Sequence, residues 1–511
     1  MADLKEDLAR SASEVRETHI SWVFLGESSV LKVKKPVNFG FLDFSDSERR
    51  RQACLNEVQL NARLAPGVYL GVVPITRRAD GFHEVDGVGP VVDWAVRMRR
   101  LADAERADLR LATGRLDAGH IERLARELAR FHRAAPSTPE ISEFGRTDRI
   151  RVNVRENFAQ AHARLSWLVS EAQQREVEEA QLAVLEQRSE LFEQRIRGGR
   201  IRDGHGDLRL EHVYFDAGGA PTIIDCIEFN ERFRYGDVCA DIAFLSMDLA
   251  FHGRVDLKER LLAAYASESD DHDLYALVDF YESYRAYVRA KISAISLDSA
   301  RLPRRHELEQ ETRRYFLLSL ASERASDSPA RLIALGGLIA SGKSTLARAL
   351  AADLALPWIS SDRVRKSLRG VEPTTPLLDA AFGDSYSTAF SERVYAEVLR
   401  RAEIVLGSGR SVVIDASFRS RAARAAARDL ALRRNAPFVL IECRVPLDLS
   451  RSRLVERAQG PSESDGRSQI FEDFVAQYEP ITELDGAEHV VVDTSGSVEQ
   501  ALGAVRSRGV L

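Results

Sequence analysis

The chain has 511 residues, of which 44% are hydrophobic and 29% are charged, a composition typical of soluble globular proteins. One hydrophobic core does not serve a chain of this length, and about three domains or lobes are expected. The net charge of −6 argues against a general electrostatic attraction to nucleic acid, although a local basic groove is compatible with it.

Four cysteines, Cys54, Cys226, Cys239 and Cys443, are scattered along the chain without a Cys-x-x-Cys pair. This spacing predicts reduced core residues and argues against disulfides or a zinc site. The polar, acidic stretch at 1–15 lacks the pattern of a signal peptide, and no apolar run approaches the roughly 20 residues that span a bilayer. We therefore expect a cytoplasmic protein with no membrane partner.

The beginning of the chain alternates between apolar and polar positions in short runs, which is typical of strands. These runs lie at 22–26, 30–37 and 71–76. One helical pattern near 50–64 interrupts them, so we predict a small β-rich lobe at 1–100. The pattern at 101–320 is mainly helical and predicts a larger lobe, in which 176–197 forms one long amphipathic helix.

A polar stretch at 321–330 is predicted to be a linker, after which apolar runs alternate with helical patterns. The candidate strands are Leu332–Leu335, Pro357–Ser360, Ser411–Asp415, Phe438–Cys443 and His489–Asp493. Strands separated by helices in this way predict a five-stranded parallel sheet covered on both faces. The sequence thus predicts an α+β domain at 1–320 and an α/β domain at 331–511.

The most specific motif, GLIASGKS at 337–344, follows the first of these strands and meets the Gly-x4-Gly-Lys-Ser spacing. Glycines at 337 and 342 allow backbone N–H groups to turn toward phosphates, Lys343 neutralises them, and Ser344 offers a hydroxyl to Mg²⁺. The motif therefore predicts a nucleoside triphosphate site. Its predicted contacts are Gly337, Ala340, Ser341, Gly342, Lys343, Ser344 and Thr345.

An Asp-x-x-Arg pair, Asp362 and Arg365, follows the second candidate strand. Acids at the carboxyl ends of parallel strands face the crevice where substrates bind. Asp362 is predicted to accept a proton from an attacking hydroxyl, and Arg365 to orient the acceptor one helical turn away. The alternative is a helix N-cap with an exposed arginine. The pair resembles polynucleotide 5′-hydroxyl kinases, zeta-type toxins and chloramphenicol phosphotransferases.

Two further groups of residues complete the predicted site in the second half. Asp415 ends the third candidate strand and is placed like an acid that holds the Mg²⁺ shell through water. The segment 449–457 and the Ser/Gly/Asp-rich stretch at 460–468 look like a lid. The resemblance to P-loop kinases implies that Arg453 and Arg457 close over the nucleotide, against the alternative of plain surface arginines.

The first half carries two acidic motifs, HGDLRLEH at 205–212 and IIDCIEFN at 223–230. Each places an Asp beside a short apolar run, as the two halves of a protein-kinase-type site do. Together they resemble the aminoglycoside-phosphotransferase-like kinases. With the P-loop behind them, the whole chain resembles a bacterial group that fuses such a two-lobed, kinase-like domain to a P-loop ATP-binding domain.

That resemblance implies roles for four acids of the first half. Asp207 becomes the catalytic acid and Asp225 a Mg²⁺ ligand, while Asp237 and Asp241 become buried acids that brace the catalytic loop. The alternative for Asp207 and Asp225 is a structural pair of acids in a turn.

The resemblance also implies that Lys32 is the strand lysine on the nucleotide phosphates and that Glu57 is its partner on a helix. Lys34 and Lys35 compete with Lys32 for this role. Because side chains alternate along a strand, Lys34 shares the face of Lys32 and Lys35 points away. Any of these lysines is alternatively a solvated charge on an edge strand.

One position departs from the kinase pattern, which places Asn, a ligand of a second Mg²⁺, where this chain has His212. Imidazole is a poor ligand for Mg²⁺, which prefers oxygen. His212 is kept as a candidate of the metal site, with three alternatives open. The site uses one metal, helped by Glu228; His212 contacts phosphate directly; or the domain binds without catalysing.

The leading interpretation is a phosphotransferase that uses ATP and Mg²⁺, with a P-loop kinase domain transferring the γ-phosphate to a hydroxyl of a small molecule or a nucleic-acid end. ATP is preferred over GTP only because of the family resemblance. The alternatives are a kinase specific for nucleic-acid 5′ ends and a nucleotide-dependent switch whose first half is a pseudokinase sensor.

Overall fold

The computed structural model describes residues 2–38, 40, 42–298, 301–320, 329–377, 384–457, 463–464, 466 and 468–509. Most of the predicted linker at 321–330 and of the predicted lid stretch at 460–468 lies outside these residues. The chain divides into two compact units, the first formed by 1–258 with 280–322 and the second by 259–279 with 323–511. The segment 259–279, which the sequence assigns to the first domain, packs in the second unit.

The first unit begins with a six-stranded antiparallel sheet in the order β1-β2-β3-β6-β4-β5. Its strands are β1 Glu14–Glu17, β2 Ser21–Leu25, β3 Ser29–Lys34, β4 Tyr69–Arg77, β5 His83–Val85 and β6 Val91–Arg99, with helices α1 Ala2–Ala9 and α2 Ser47–Asn61. Side chains alternate between the two faces of β3. Val30 packs with Cys54 of α2, whereas Val33 packs with Leu4 of α1.

The remainder of the first unit is mainly helical, with two short two-stranded sheets. Its elements are α3 Ala107–Ala112, α4 Ala118–Ala134, α5 Pro139–Ser142, α6 Thr147–Leu165, α7 Glu171–Gln187, α8 Ser189–Arg197, β7 Ile201–Asp203, β8 Val213–Phe215, β9 Pro221–Ile223, α9 Glu231–Arg234, β10 Tyr235–Asp237, α10 Val238–Phe251, most of α12 Val278–Ser296 and α13 Arg304–Leu320. Helix α11 Val255–Ser269 begins in this unit and continues into the second from residue 259. Strand β7 pairs with β10 and β8 with β9. These pairings bring the motifs at 205–212 and 223–230 into one region.

The prediction of one helix over 176–197 is wrong. Arg188 leaves the helical conformation, with φ −114° and ψ 25°, and separates α7 from α8. Helix α7 also starts earlier than predicted, because Ser170 and Gln173 form a capping box.

The second unit contains the predicted five-stranded parallel sheet, in the order β12-β13-β11-β14-β15. Its elements are β11 Leu332–Gly336, α14 Lys343–Leu354, β12 Trp358–Ser360, α15 Ser361–Leu368, α16 Thr388–Gly407, β13 Val412–Asp415, α17 Arg421–Arg433, β14 Phe438–Arg444, α18 Leu447–Arg457, α19 Ser468–Ala476, β15 His489–Asp493 and α20 Val498–Ser507. Every residue of β11 and β13 is buried. This arrangement places the P-loop, Asp362 and Asp415 at one edge of the sheet, where the parallel strands end.

In the part of the chain that the structure describes, no helix combines the length and apolar character needed to cross a bilayer. The four cysteines are all free thiols in buried positions.

Replacing Ile441, which is fully buried in β14, tests the core of the second unit. Ile441→Ala should lower the free energy of unfolding by about 2–5 kcal/mol, because lost apolar contact and a residual cavity both destabilise the sheet. Urea unfolding followed by the fluorescence of Trp358, with the other three tryptophans replaced by Phe, measures it. Leu432→Ala, at an exposed position of α17, is the control. Equal effects of the two substitutions would contradict the assignment.

Candidate active sites

The P-loop of the second unit adopts a backbone that few residue types permit. Gly337 has φ 139°, and a Cβ there would lie 2.6 Å from the carbonyl oxygen of Cys443. Ala340 and Gly342 also have positive φ angles, and Gly342 is the N-cap of α14. The N–H groups at the start of α14 therefore face the mouth of the loop, where an anion is stabilised.

Hydrogen bonds connect the P-loop to the segment that follows β15. Thr494 donates its hydroxyl hydrogen to the carbonyl oxygen of Ser341, whose side chain is buried. Arg453 of α18 donates from Nη2 to the carbonyl oxygen of Thr494 at 2.8 Å and from Nη1 to that of Ala340 at 3.5 Å. Arg453 thus lies against the loop, and its contact with nucleotide stays a prediction.

A cavity of about 340 Å³ opens beside the loop, a size typical of small-molecule sites. Its lining residues are Ala340, Gly342, Thr345, Leu346, Arg453, Glu456, Arg457, Thr494, Gly496, Ser497, Val498 and Ala501. The sequence interpretation includes none of those at 494–501. The available signal is the Thr-Ser-Gly-Ser turn that follows the last strand at the same edge of the sheet.

Asp415 is the last residue of β13, and within the described part of the chain its buried carboxylate lacks a hydrogen-bond partner for one of its oxygens. Its side chain is in the interior, and Oδ1 has no hydrogen-bond partner among the described residues. Burial raises the pKa of Asp415 to about 6, although Lys343 and a hydrogen bond from Ser344 lower it, and the nearby Asp362 raises it further. An orphaned carboxylate oxygen beside a P-loop serine fits a hydrated Mg²⁺.

Asp362 and Arg365 lie on α15, directly after β12. The N-cap of α15 is Ser360, whose hydroxyl accepts from the N–H of Arg363, so the alternative of Asp362 as the N-cap is wrong. Arg365 is buried, donates to the carbonyl oxygen of Ser385 and lies 4.6 Å from the ring centroid of Tyr386. The alternative of an exposed arginine is therefore also wrong.

Arg457, at the end of α18, lies within electrostatic reach of both acids. Burial lowers the pKa of Arg457, Asp362 and Asp415 oppose this shift, and Arg453 adds to it. Arg457 and Asp415 therefore lie near enough to Asp362 for their charges to interact.

In the first unit, two lysines of β3 share one buried glutamate of α2. Lys32 Nζ lies 2.7 Å from Oε1 of Glu57 and 2.8 Å from Oδ1 of Asp225. Lys34 Nζ lies 2.6 Å from Oε2 of Glu57 and also pairs with Glu228. Lys35 points elsewhere and pairs with Glu17 at 2.6 Å. The side chain of Lys32 is 13% exposed and that of Lys34 is 0% exposed, so of the two lysines that pair with Glu57, Lys32 is the one that solvent reaches.

Asp225 occupies a strained position next to this network. Its φ angle is 63°, and its N–H donates to the hydroxyl of Tyr69 at 3.2 Å. Burial raises the pKa of Asp225, but Lys32 and His212 lower it well below its usual range. The carboxylate therefore stays ionised, the form that binds a metal, and strain of this kind is common at functional sites.

Asp207 forms a bidentate ion pair with Arg209, a residue that the sequence analysis does not select. Arg209 donates from Nε to Oδ1 at 3.1 Å and from Nη2 to Oδ2 at 3.0 Å. Burial raises the pKa of Asp207, but Arg209 and His212 hold it far below its usual range. The sequence feature that could have identified Arg209 is its position, as a basic residue two places after Asp207. His212 Nδ1 donates to the carbonyl oxygen of Asp207 at 2.8 Å, which fixes the imidazole ring against the loop at 205–212.

The two bracing acids act differently. Asp241 accepts hydrogen bonds from the N–H groups of His205 at 2.6 Å and Gly206 at 2.8 Å, so it orients the loop that carries Asp207. Asp237 instead pairs with Arg195 at 2.6 Å and caps α10.

The raised pKa of Asp415 predicts a pH-dependent gain in stability from Asp415→Asn. The folded protein favours the protonated acid, so its stability contribution is present below about pH 4 and is lost as the pH rises through about 6. With Mg²⁺ chelated, the substitution should raise the free energy of unfolding at pH 8 by about 2–3 kcal/mol and leave it unchanged at pH 4. Urea unfolding at both pH values measures this.

The matched control is Asp429→Asn, at an exposed position of α17. It should change neither stability nor its dependence on pH. An equal gain from Asp415→Asn at pH 4 and pH 8 would show that the buried carboxylate is not the cause.

Two family models match the chain, the phosphotransferase enzyme family at 41–281 and an AAA domain at 332–481. A gluconokinase from Sinorhizobium meliloti is 19% identical, with 35% of this chain and 93% of that chain covered and a TM-score of 0.26. A variant of the aminoglycoside 2′-phosphotransferase IIIa is 16% identical, with 61% and 92% covered and a TM-score of 0.35.

Uncharacterised proteins of Mycobacterium tuberculosis H37Rv and Mycobacterium bovis are each 35% identical to this chain over 493 residues. The match covers 96% of this chain and 94% of each relative. Both matched regions are kinase-like domains, which supports phosphotransferase activity. The chain belongs to the family of these mycobacterial proteins, and it joins a phosphotransferase-family kinase domain to a P-loop kinase domain.

Proposed function

We propose that the P-loop domain, with bounds at 331–511, is an ATP-dependent kinase that phosphorylates a hydroxyl group. The observation that carries this proposal is the placement of two acids beside the P-loop: Asp415 ends β13 between β11 and β12, and Asp362 lies two residues after β12. Lys343 begins α14 at the end of the loop. An ATPase requires the loop and a metal-site acid, but a kinase also requires an acid beside the acceptor. Asp362 meets that requirement.

In the proposed reaction, Asp362 accepts the proton of the acceptor hydroxyl as the oxygen attacks the γ-phosphorus. The bond from the γ-phosphorus to the bridging oxygen breaks, and the nucleoside diphosphate leaves with that oxygen. Residues Gly337–Thr345 hold the triphosphate, while Lys343, Arg453 and Arg457 neutralise its charge and Arg365 orients the acceptor. Ser344 and Asp415 would hold a Mg²⁺ ion, which would supply further charge neutralisation when bound.

The first domain, with bounds at 1–320, is proposed to be a second phosphotransferase site. Lys32 binds the nucleotide phosphates with Glu57 as its partner, Asp225 binds Mg²⁺, and Asp207 accepts the acceptor proton. His212, bonded to the carbonyl of Asp207, positions the catalytic loop and borders the metal site. The free buried cysteines support a reducing compartment, which we propose to be the cytoplasm.

The second candidate function is a nucleotide-dependent switch with a pseudokinase sensor in the first domain. The observation that favours it is the bidentate grip of Arg209 on Asp207, which occupies both carboxylate oxygens of the proposed catalytic acid.

A transfer assay with γ-labelled ATP separates these functions in the P-loop domain. The acceptor panel contains gluconate, an aminoglycoside and a 5′-hydroxyl oligonucleotide. Asp362→Asn should lower transfer by about 100-fold or more and leave MgATP affinity unchanged, because only the general base is lost. Lys343→Ala should weaken both affinity and transfer, and Asp429→Asn is the control. Unchanged transfer by Asp362→Asn would overturn the kinase assignment.

Asp207→Asn tests the first domain in the same assay, in a chain that carries Asp362→Asn to silence the second site. A kinase should lose its residual transfer by about 100-fold or more while keeping nucleotide affinity, because the amide cannot take the proton. If the residual transfer is the same with and without Asp207→Asn, the first domain is a sensor and not an enzyme.

A further inference from the structure

The segment 259–279 belongs to the predicted first domain at 1–320 but packs with the P-loop domain in the second unit. It consists of the end of α11, a turn at Asp270 with φ 52°, a short 3₁₀ helix at His272–Ala276 and the start of α12. Its two ends continue along the chain into the first unit, because α11 begins at Val255 and α12 ends at Ser296. We call it the brace segment.

Ion pairs attach the brace segment to α16 and to the start of β13. Arg401, which is buried, lies 2.6 Å from Asp270, and Arg400 lies 3.0 Å from Asp273. Arg410 contacts both ends of the segment, with Glu259 at 2.8 Å and Asp279 at 3.1 Å. Arg401 and Arg410 are mostly buried, so water weakens these pairs less than it weakens exposed ones.

A second set of contacts reaches β12, an edge strand of the sheet. The carbonyl oxygen of Pro357 accepts from the N–H of Val413 in β13, and carbonyls alternate in direction along a strand, so that of Trp358 faces outward. His272 Nε2 donates to this outward oxygen at 3.1 Å. Burial, with the nearby Arg401, lowers the pKa of His272 to about 4, so the ring stays neutral at physiological pH.

The brace segment also contacts α15 at two positions, one within the Asp-x-x-Arg pair and one after it. Arg363, next to Asp362, donates to the carbonyl oxygen of Glu268 at 3.4 Å. Asp270 accepts a hydrogen bond from Ser367 near the end of the same helix. The strand that leads to Asp362 and the helix that carries it are therefore both held by residues from outside 323–511.

We propose that the brace segment is a positioning element of the phosphoryl-transfer site, with His272 holding β12 so that Asp362 faces the acceptor. This inference rests on the proposed function, because it assigns His272 a role through Asp362. The brace segment reaches α14 through Arg260, which donates to the carbonyl oxygen of Ala352 in the last turn of that helix, whereas His272 contacts β12. Loss of the His272 contact should therefore affect the acceptor side and spare nucleotide binding. The proposal therefore predicts a separation of two properties that general destabilisation would change together.

The test compares His272→Ala with His272→Gln in the full chain, because the Gln amide can restore the donor to the carbonyl of Trp358. His272→Ala should raise amide hydrogen exchange at 358–368 by about tenfold and leave exchange at 337–354 unchanged. Transfer from labelled ATP to the acceptor panel should fall about five- to tenfold, with KM for MgATP within about twofold of the wild type. His272→Gln should recover most of both effects.

A second variant, Arg401→Lys, tests the brace segment in case His272→Ala does not fold. Arg434→Ala is its control. Arg401→Lys keeps the charge but loses the paired geometry, and it should reproduce part of the exchange at 358–368. Arg434 pairs with Glu403 of α16 at 3.0 Å, away from the brace segment, and its loss should change nothing.

Three outcomes would overturn the proposal. They are unchanged exchange at 358–368, an equal rise in exchange at 337–354, and failure of His272→Gln to recover what His272→Ala loses. If the wild type labels no acceptor, the proposed function fails, while the exchange measurements still decide whether the brace segment holds α15.

Discussion

A carboxylate that is removed from water must gain a cation or give up its charge, and the two units meet this constraint in different ways. In the first unit, Glu57 is buried between Lys32 and Lys34, and these pairs fix α2 against β3. In the second unit, Asp415 is buried with one oxygen unpartnered, so its pKa rises to about 6. The charge of Glu57 is neutralised by lysines of the protein itself. The carboxylate of Asp415 is not fully neutralised, and a metal ion is suited to neutralise it.

The parallel sheet of the second unit positions the charged residues of the candidate site. Strands β11, β12 and β13 end at one edge, so short loops deliver the P-loop, Asp362 and Asp415 to the same place. The residues are far apart in sequence, and parallel pairing alone brings them together. Because the apolar strands fix these positions, the geometry of the charged groups depends on a core that touches no ligand.

The sequence is sufficient for the parts of this design that follow local chemistry. The P-loop requires specific residue types at fixed spacing, and five apolar runs between helices predict the parallel sheet. Strand alternation also separates Lys35 from Lys32 and Lys34. The role of Lys34 depends on Glu57 and Glu228, which tertiary packing brings to it, and the cavity at 494–501 depends on where α20 packs. The brace segment is equally hidden, because nothing in 259–279 itself identifies β12 as its neighbour.

Lys32 and Lys34, on the same face of β3, have different roles if the first domain binds nucleotide as proposed. Lys32 is bonded to both Glu57 and Asp225, so one ammonium group neutralises the helix acid and the metal-site acid together. Phosphates that drew Lys32 toward them would remove part of the positive charge beside Glu57. Lys34 would stay with Glu57 and Glu228, because its side chain is fully buried. A second lysine on the same face would therefore keep α2 in place while the first one changed partners.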